Sequence, residues 1–387
     1  MLRITLLKKW MSGYLCLLTV LVTGCQNGEA TPPEGTAGQL VSAEPADRTK
    51  GDVAAYTIRY WTNSASPNEE LTIASALLLV PDVITSDALT SYQHSTSIAR
   101  YDVPTTSGTT HRAAAHTLAE TGRIVVAADY LGFGVDHGPH PWLDANTETS
   151  AVRDLLKALP AALSQLAVPQ PKMLDLVGFS QGAHATFSLA STLHDQPIPA
   201  MPLRTVIGIG GPYALSEIDI PAAVAGTSNS AIRSLVLSRI VLSAHLRGAD
   251  VDYMYSSGWQ TRVRDLFDGT HTAEEVMRAL PTDPTEMFTE HGWSDITNPD
   301  SPFGKWLTTT SDICRVDIPN VEVHLLHATG DTSALPDNAQ LCQARLHNAG
   351  VKVAFAELGN IEHIPSGVVG VKRAGDILNA ADSPTNR

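Results

Sequence analysis

Short runs of apolar and β-branched residues alternate with helical patterns along most of the chain after residue 50. Several of these runs are continuously apolar, as in Ile124-Val125-Val126-Ala127-Ala128, which is typical of strands buried on both faces. Strands that alternate with helices predict an α/β fold, with a mostly parallel sheet between two layers of helices. We expect eight strands, at 53–62, 71–80, 89–94, 123–129, 174–179, 205–210, 321–327 and 351–357.

Helical patterns fill most of the intervals between the later strands. No helix separates the first two strands, so we expect these two to pair antiparallel. The predicted helices lie at 109–120, 147–166, 180–193 and 337–348.

A long segment interrupts the alternation between the strands at 205–210 and 321–327. A loop of about 110 residues without structure of its own is uncommon, so we predict a mainly helical cap insertion at 212–310, with helices at 232–246 and 272–280. Its aromatic residues form a core of its own, line an apolar pocket above the sheet, or do both. They are Tyr213, Tyr253, Tyr255, Trp259, Phe267, Phe288, Trp293, Phe303 and Trp306.

The segment Gly178-Phe179-Ser180-Gln181-Gly182 joins a predicted strand to a predicted helix. A G-x-S-x-G sequence in this setting predicts a sharp turn that exposes the serine hydroxyl at the carboxyl edge of the sheet. The following helix places backbone N–H groups near the reacting oxygen. Ser180 is therefore the candidate nucleophile.

A serine hydroxyl needs a base that removes its proton, and the base needs a carboxylate that orients it. His363 is the only histidine beyond the last predicted strand, in a loop that follows it, and it is the candidate base. Asp331, directly after the strand at 321–327, is the candidate acid. Asp337, which we expect to cap the next helix, and Glu362, which adjoins the histidine, are the competing carboxylates.

The oxyanion formed during acyl transfer needs two hydrogen-bond donors. The backbone N–H of Gln181 is the first candidate, because it follows the nucleophile. The second is expected in the loop after the third predicted strand, from Ser95 or Thr96. A structural hydrogen bond from His94 would stabilise that loop.

Three sequence blocks resemble the secretory lipase (lipase A-like) family of the α/β-hydrolase superfamily. They are Ser91–Thr96, Ala128–Gly134 and His140–Leu143. The resemblance implies an α/β-hydrolase fold and hydrolysis of carboxylic esters through an acyl-enzyme, by Ser180, Asp331 and His363, with no metal and no cofactor. Ser95 departs from the family, which often has glycine there, and this weakens the assignment of the second oxyanion donor.

Composition and site chemistry leave a few other functions open. The formal net charge of −14 argues against a nucleic-acid partner, so the expected partner is a small-molecule ester or a lipid. A serine peptidase or a polyester hydrolase would use the same triad on the same scaffold. A binding lipoprotein without catalysis would be expected to lack one of the three residues.

The first 25 residues predict export. Basic residues precede an apolar stretch of about twelve residues, which suits a signal peptide and is short for a membrane span. Val22–Cys25 resembles a bacterial lipobox, which implies a signal peptide at 1–24 and a lipid anchor on Cys25. Ordinary signal cleavage beside a bystander cysteine is the alternative. The protein is thus expected to be a lipoprotein of the cell envelope, on the outer membrane if the host has two membranes.

The remaining boundaries follow from composition. Residues 25–50 are polar and rich in Pro, Gly and Glu, which predicts a flexible tether. The hydrolase core is then expected at 51–211 and 311–387. Two cysteines remain beyond the anchor, Cys314 and Cys342, and export permits a disulfide between them. Two buried free thiols are the alternative.

Overall fold

One mostly parallel sheet forms the centre of the molecule. A computed structural model describes residues 35–46, 52–66, 68, 70–311, 313–314, 318 and 320–383. Within these residues the sheet has nine strands, in the order β1-β2-β3-β5-β4-β6-β7-β8-β9. The strands are β1 (Leu40–Pro45), β2 (Val53–Asn63), β3 (Leu71–Pro81), β4 (Ala88–Gln93), β5 (Ile124–Ala128), β6 (Met173–Phe179), β7 (Leu203–Ile209), β8 (Glu322–His327) and β9 (Val353–Glu357).

The six strands from β5 to β9 in this order pair parallel, and β1, β2 and β3 extend the sheet antiparallel. The predicted α/β class and the antiparallel start are confirmed, and each of the eight predicted strands is present within two residues of its expected bounds. The continuous apolar run of β5 is buried on both faces. Ile124, Val126 and Ala128 belong to one apolar core, and Val125 and Ala127 belong to another.

The ninth strand corrects the predicted tether. Leu40–Pro45 lies inside the segment 25–50, yet it forms β1 and pairs with β2 at the edge of the sheet. Ala43 is buried against the sheet, while its neighbours in β1 stay partly or fully exposed. The sequence of β1 shows little apolar periodicity. The strand is stabilised by its hydrogen bonds to β2, which a sequence pattern does not reveal. The predicted signal peptide, the predicted lipidation site Cys25 and residues 26–34 and 47–50 of the predicted tether lie outside the described residues.

Helices cover both faces of the sheet. Apolar residues of α2, α3 and α10 pack on one face, and those of α1 and α11 pack on the other. The helices are α1 (Thr110–Ala119), α2 (Ala145–Gln165), α3 (Gln181–Asp195), α4 (Ile220–Ala225), α5 (Arg233–Leu246), α6 (Trp259–Leu266), α7 (Ala273–Ala279), α8 (Glu290–Asp295), α9 (Pro302–Ser311), α10 (Asp337–Asn348) and α11 (His363–Ala381). Among the described residues, no helix is both long enough and apolar enough to cross a membrane.

Helix α11 replaces what the sequence indicated as a loop around the candidate base. Pro365 and three glycines lower the intrinsic helix propensity of this segment. Two of the glycines are needed for close packing of the helix on the sheet. A Cβ atom on Gly367 would meet the Phe179 ring, and one on Gly370 would meet Ile209. The helix therefore lies close against β6 and β7, and this tertiary packing stabilises it.

The segment between β7 and β8 is helical, as expected, and contains α4 to α9. It builds a separate apolar core to which Tyr255, Phe288 and Phe303 contribute buried rings. The segment nevertheless belongs to the same compact unit as the sheet. Just after α9, Cys314 is joined by a disulfide to Cys342 of α10, so the end of the insertion is covalently tied to the helix after β8.

Candidate active site

Ser180 lies at the turn between β6 and α3. Its backbone torsion angles are φ 56° and ψ −120°, which few residues other than glycine adopt. The backbone N–H of Ser180 donates to the Ile209 carbonyl at the end of β7, 2.9 Å away. Backbone strain of this kind costs about 1–3 kcal/mol and persists only where the surroundings hold it. The turn thus has the geometry that G-x-S-x-G predicts.

The two glycines of the motif allow the turn to close. A Cβ atom on Gly178 would collide with the backbone of Gly182, the second residue of α3. A Cβ atom on Gly182 would collide with the carbonyl of Gln93 at the end of β4. Strand, helix and neighbouring strand therefore approach more closely here than any other residue type permits.

The three predicted catalytic residues meet at this turn. Nε2 of His363 lies 2.8 Å from Oγ of Ser180. Nδ1 of His363 lies 2.6 Å from Oδ2 of Asp331. With Nδ1–H donating to the carboxylate, Nε2 is left to accept the serine proton. Chain positions up to 183 residues apart thus form one hydrogen-bonded relay.

The loop after β8 fixes the Asp331 carboxylate from its other side. Oδ1 of this buried residue accepts hydrogen bonds from the backbone N–H groups of Ser333 and Ala334, at 2.9 and 3.0 Å. Oδ2 remains directed at the histidine. The competing acids lie elsewhere: Glu362 is exposed, and Asp337 lies in the first turn of α10, where Pro336, not Asp337, is the N-cap.

The candidate base is the first residue of α11. The Phe179 ring packs 4.9 Å from the His363 ring, centroid to centroid. The hydroxyl of Ser366 donates to the His363 carbonyl over 2.6 Å. Packing on one side and a helix terminus on the other therefore hold the imidazole in the orientation that the relay needs.

The predicted oxyanion donors border the nucleophile. Gln181 is the first residue of α3, so its backbone N–H has no acceptor within the helix. Ser95 and Thr96 line the same cavity as Ser180 and Gln181. His94 contacts the carbonyl of Ser95 through Nδ1 over 2.7 Å, and burial lowers the pKa of its imidazole. A neutral His94 thus stabilises the loop that carries both candidates.

A cavity of about 410 Å³ opens beside Ser180 and His363. None of the nine aromatic residues of the insertion, all of which are described, lines it. Eight of them belong to the insertion's core or pack against it, and Tyr213 packs in the core of the sheet. The wall contributed by the insertion is mostly aliphatic instead, with Leu215, Ile232, Leu235, Val236 and Met277, and its polar members are Asp219 and Asn229.

A buried polar network lies behind the nucleophile, and the sequence analysis missed it. The side-chain amide of Gln181 donates to Oε1 of Glu148 and contacts Nε2 of His140, at 2.9 and 3.0 Å. Oε2 of Glu148 lies 2.8 Å from Nδ1 of His184. The sequence signal that could have indicated it is Glu148, a carboxylate that shares the apolar face of α2 with Val152 and Leu155. Within the described residues, no group of three or more His, Cys, Asp or Glu side chains is arranged to hold a metal ion.

Comparison with known proteins identifies the fold. No protein-family model and no curated protein matches the sequence. A candidate hydrolase from Legionella pneumophila superposes with a TM-score of 0.80 at 22% identity, covering 89% of this chain and 99% of that one. The rice cell wall degrading esterase LipA from Xanthomonas oryzae gives 0.73 at 21% identity, over 89% and 96%. Candida antarctica lipase A in its closed state gives 0.71 at 15% identity, over 91% and 84%. The chain therefore has the α/β-hydrolase fold that these solved structures share.

Proposed function

We propose that the protein is a serine carboxylic-ester hydrolase, a lipase or esterase, that acts through Ser180, His363 and Asp331. The observation that carries this proposal is the relay of two hydrogen bonds, 2.8 and 2.6 Å long, at the mouth of an apolar cavity. The strained serine turn and the fold shared with esterases and lipases support it.

The proposed reaction follows the chemistry of these groups. Ser180 attacks the ester carbonyl while His363 takes the hydroxyl proton, and Asp331 stabilises the imidazolium. The backbone N–H of Gln181 and a donor from Ser95 or Thr96 stabilise the tetrahedral oxyanion. Its collapse expels the alcohol, which His363 protonates, and leaves an acyl-enzyme. Water then attacks the acyl-enzyme by the same steps and releases the acid. No step requires a metal or a cofactor.

The aliphatic wall of the cavity favours an ester with an apolar acyl group. Each methylene that leaves water contributes about 0.8 kcal/mol of binding free energy. The side chains of Leu235, Val236 and Met277 offer an acyl chain dispersion contacts but no hydrogen-bond donors. An acyl ester of a small alcohol or of a lipid therefore fits this cavity better than a peptide, whose amides would lose their hydrogen bonds to water here.

A fluorophosphonate probe tests the nucleophile. The wild-type protein should be labelled and the S180A variant should not, and S191A on the same helix serves as the matched control that remains labelled. Persistent labelling of a folded S180A would remove Ser180 as the nucleophile. Hydrolysis of p-nitrophenyl esters of graded acyl length, compared with aminoacyl anilides, then tests the substrate class. Faster cleavage of the anilides would establish a peptidase instead.

We also propose that Cys25 carries a lipid anchor, which rests on the lipobox-like Val22–Cys25. Bacterial expression with a radiolabelled or alkynyl fatty acid should label the wild-type chain, and the C25A variant should be unlabelled and released from membranes. Labelling of C25A would contradict the proposal.

A further inference from the structure

The strongest unassigned feature is the buried network behind the nucleophile turn. Glu148, Gln181 and His184 are at most 1% exposed, and none of their side chains belongs to the relay. Burying a carboxylate among apolar helices costs several kcal/mol unless hydrogen bonds and a partner charge offset the loss of water. The partners of this carboxylate therefore indicate what it does.

The partners of the Gln181 side-chain amide select one of its two orientations, in which the nitrogen is fully used and the buried oxygen has no partner among the described residues. Nδ1 of His140 contacts the Leu131 carbonyl over 2.7 Å and must donate to it. Burial lowers the pKa of His140 to about 3, so the ring is neutral and its Nε2 can only accept. One amide hydrogen of Gln181 goes to that Nε2 and the other goes to Oε1 of Glu148. A reversed amide would place its oxygen against a carboxylate and a ring lone pair.

The second carboxylate oxygen of Glu148 also has a defined hydrogen-bond partner, His184. Nε2 of His184 lies 3.0 Å from the Thr310 carbonyl, which accepts only, so this nitrogen carries a hydrogen. Nδ1 of His184 and Oε2 of Glu148 then hold one proton between them over 2.8 Å. Glu148 also lies in the first turn of α2, where the helix dipole favours negative charge. Both carboxylate oxygens are therefore committed, one to α3 through Gln181 and one to His184.

We propose that Glu148 is a positioning residue for the oxyanion hole, acting through the side chain of Gln181. This inference rests on the proposed ester hydrolysis. The peptide between Ser180 and Gln181 carries the candidate oxyanion donor, and its direction depends on the strained torsion angles of Ser180. A strained conformation needs neighbours that hold it. The hydrogen bond from the Gln181 side chain to Glu148, which we call the clamp, ties α2 to the first residue of α3 and supplies that hold.

Replacing Glu148 by alanine tests the clamp. Removing an oxyanion donor outright lowers kcat about 10²- to 10³-fold in a serine hydrolase. Misdirecting the donor should cost less, so E148A should lower kcat on a p-nitrophenyl ester about 10- to 100-fold and change KM less than about 3-fold. Affinity for a trifluoromethyl ketone, which forms a tetrahedral adduct, should fall by the same factor as kcat/KM. A folded E148A with wild-type kcat would overturn the proposal.

The conservative variant E148Q separates positioning from charge. Its amide oxygen can accept from Gln181, and its nitrogen can donate to Nδ1 of a neutral His184 that still donates to Thr310. All hydrogen bonds of the network then survive, and kcat should remain within about 3-fold of wild type. An E148Q as slow as E148A would show that the charge matters and would also reject the positioning role.

Asp154 provides the matched control. It is a second buried carboxylate on α2, where it accepts from the Thr62 hydroxyl over 2.9 Å and pairs with Lys157. D154A should lower the free energy of unfolding and leave kcat unchanged. A kcat loss in D154A as large as that in E148A would mean that general loosening of α2, and not the clamp, explains the effect.

Q181M covers the case in which E148A fails to fold, and where both variants fold a double-mutant cycle tests the route from Glu148 through the Gln181 side chain. Q181M keeps the backbone N–H and removes the side-chain amide, so it should lose kcat as E148A does. Adding E148A to Q181M should then cost little more, because both changes break one connection. Wild-type kcat in Q181M, or additive losses, would contradict the proposal. Ester hydrolysis by S180A at the wild-type rate would instead reject the proposed function itself.

Discussion

The two sides of the cavity are held in place by different kinds of interaction. On the sheet side, Ser180, Asp331 and His363 follow β6, β8 and β9, and hydrogen bonds with defined directions hold them. On the insertion side, Leu235 of α5 packs against the insertion's apolar core, and Met277 of α7 adjoins Val276, which is buried in that core. Hydrogen bonds fix angles, whereas apolar contacts depend mainly on buried area and shape. On the proposed function, we therefore expect the sheet side to determine the chemistry and the insertion side to determine which acyl group enters.

The largest predicted effect is on the sheet side. D331N keeps the shape of the carboxyl group but presents an amide to Nδ1 of His363, which favours the wrong tautomer. On the proposed function, kcat should fall about 10⁴-fold, as in serine proteases with the same change. Steady-state kinetics on a p-nitrophenyl ester measures this loss, and thermal unfolding checks that the fold is kept. A loss below about 10-fold would show that the relay does not control the rate.

Paired glycine substitutions test the packing difference between the two sides. In G182A the new Cβ atom meets the Gln93 backbone, which cannot move without disturbing β4. The expected loss is about 3 kcal/mol of unfolding free energy or more. Gly258 precedes α6 in the insertion with φ 83°, and a Cβ atom there would meet nothing within 4 Å, so G258A should cost only about 1 kcal/mol. Chemical denaturation compares the two, and equal losses would contradict the difference.

A substitution in the insertion should change selectivity and leave the chemistry alone. M277W adds bulk to the aliphatic wall of the cavity. On the proposed function, kcat/KM for a dodecanoyl ester should fall about 10-fold relative to the acetyl ester, since two methylenes lose their contacts. M173W, at the exposed start of β6, is the control that should leave the ratio unchanged. A uniform loss on both esters would assign Met277 to the chemistry.

The last prediction concerns the pH dependence of stability at Asp219, where the two sides meet. This buried insertion residue accepts a hydrogen bond from Asn338 of α10, and burial raises the pKa of its carboxyl to about 7. The folded chain thus retains a proton that the unfolded chain releases above about pH 4, so this contribution to stability falls as the pH rises towards 7. D219N should flatten the decline between about pH 4 and 8 by at least about 1 kcal/mol. Denaturation across this range measures it, with the exposed D300N as control, and an unchanged slope would contradict the assignment.

The sequence could predict what local patterns determine. Buried parallel strands such as β5 are continuously apolar. The turn at Ser180 is predicted by the five consecutive residues of the G-x-S-x-G motif. The order of elements then places Asp331 after β8 and His363 after β9. Each of these features depends on neighbours in sequence, and the structure brings the three side chains into one relay.

Features that depend on tertiary partners could not be predicted in this way. The helix that begins at His363 is rich in glycine because it lies against β6 and β7, not because glycine favours helices. The strand Leu40–Pro45 exists through its pairing with β2. Glu148 acquires its partners from α3, and in the sequence it is only one carboxylate among many.

The large sequence separation between the residues of the relay has a consequence for folding during synthesis. Ser180 emerges from a ribosome 183 residues before His363. The whole insertion is synthesised after Ser180 and before His363. Strands β8 and β9 must also join the sheet before His363 can reach Ser180. Contacts of such high sequence separation form late and slowly. On the proposed function, a nascent chain therefore cannot hydrolyse esters until β8, β9 and the start of α11 have docked on the sheet.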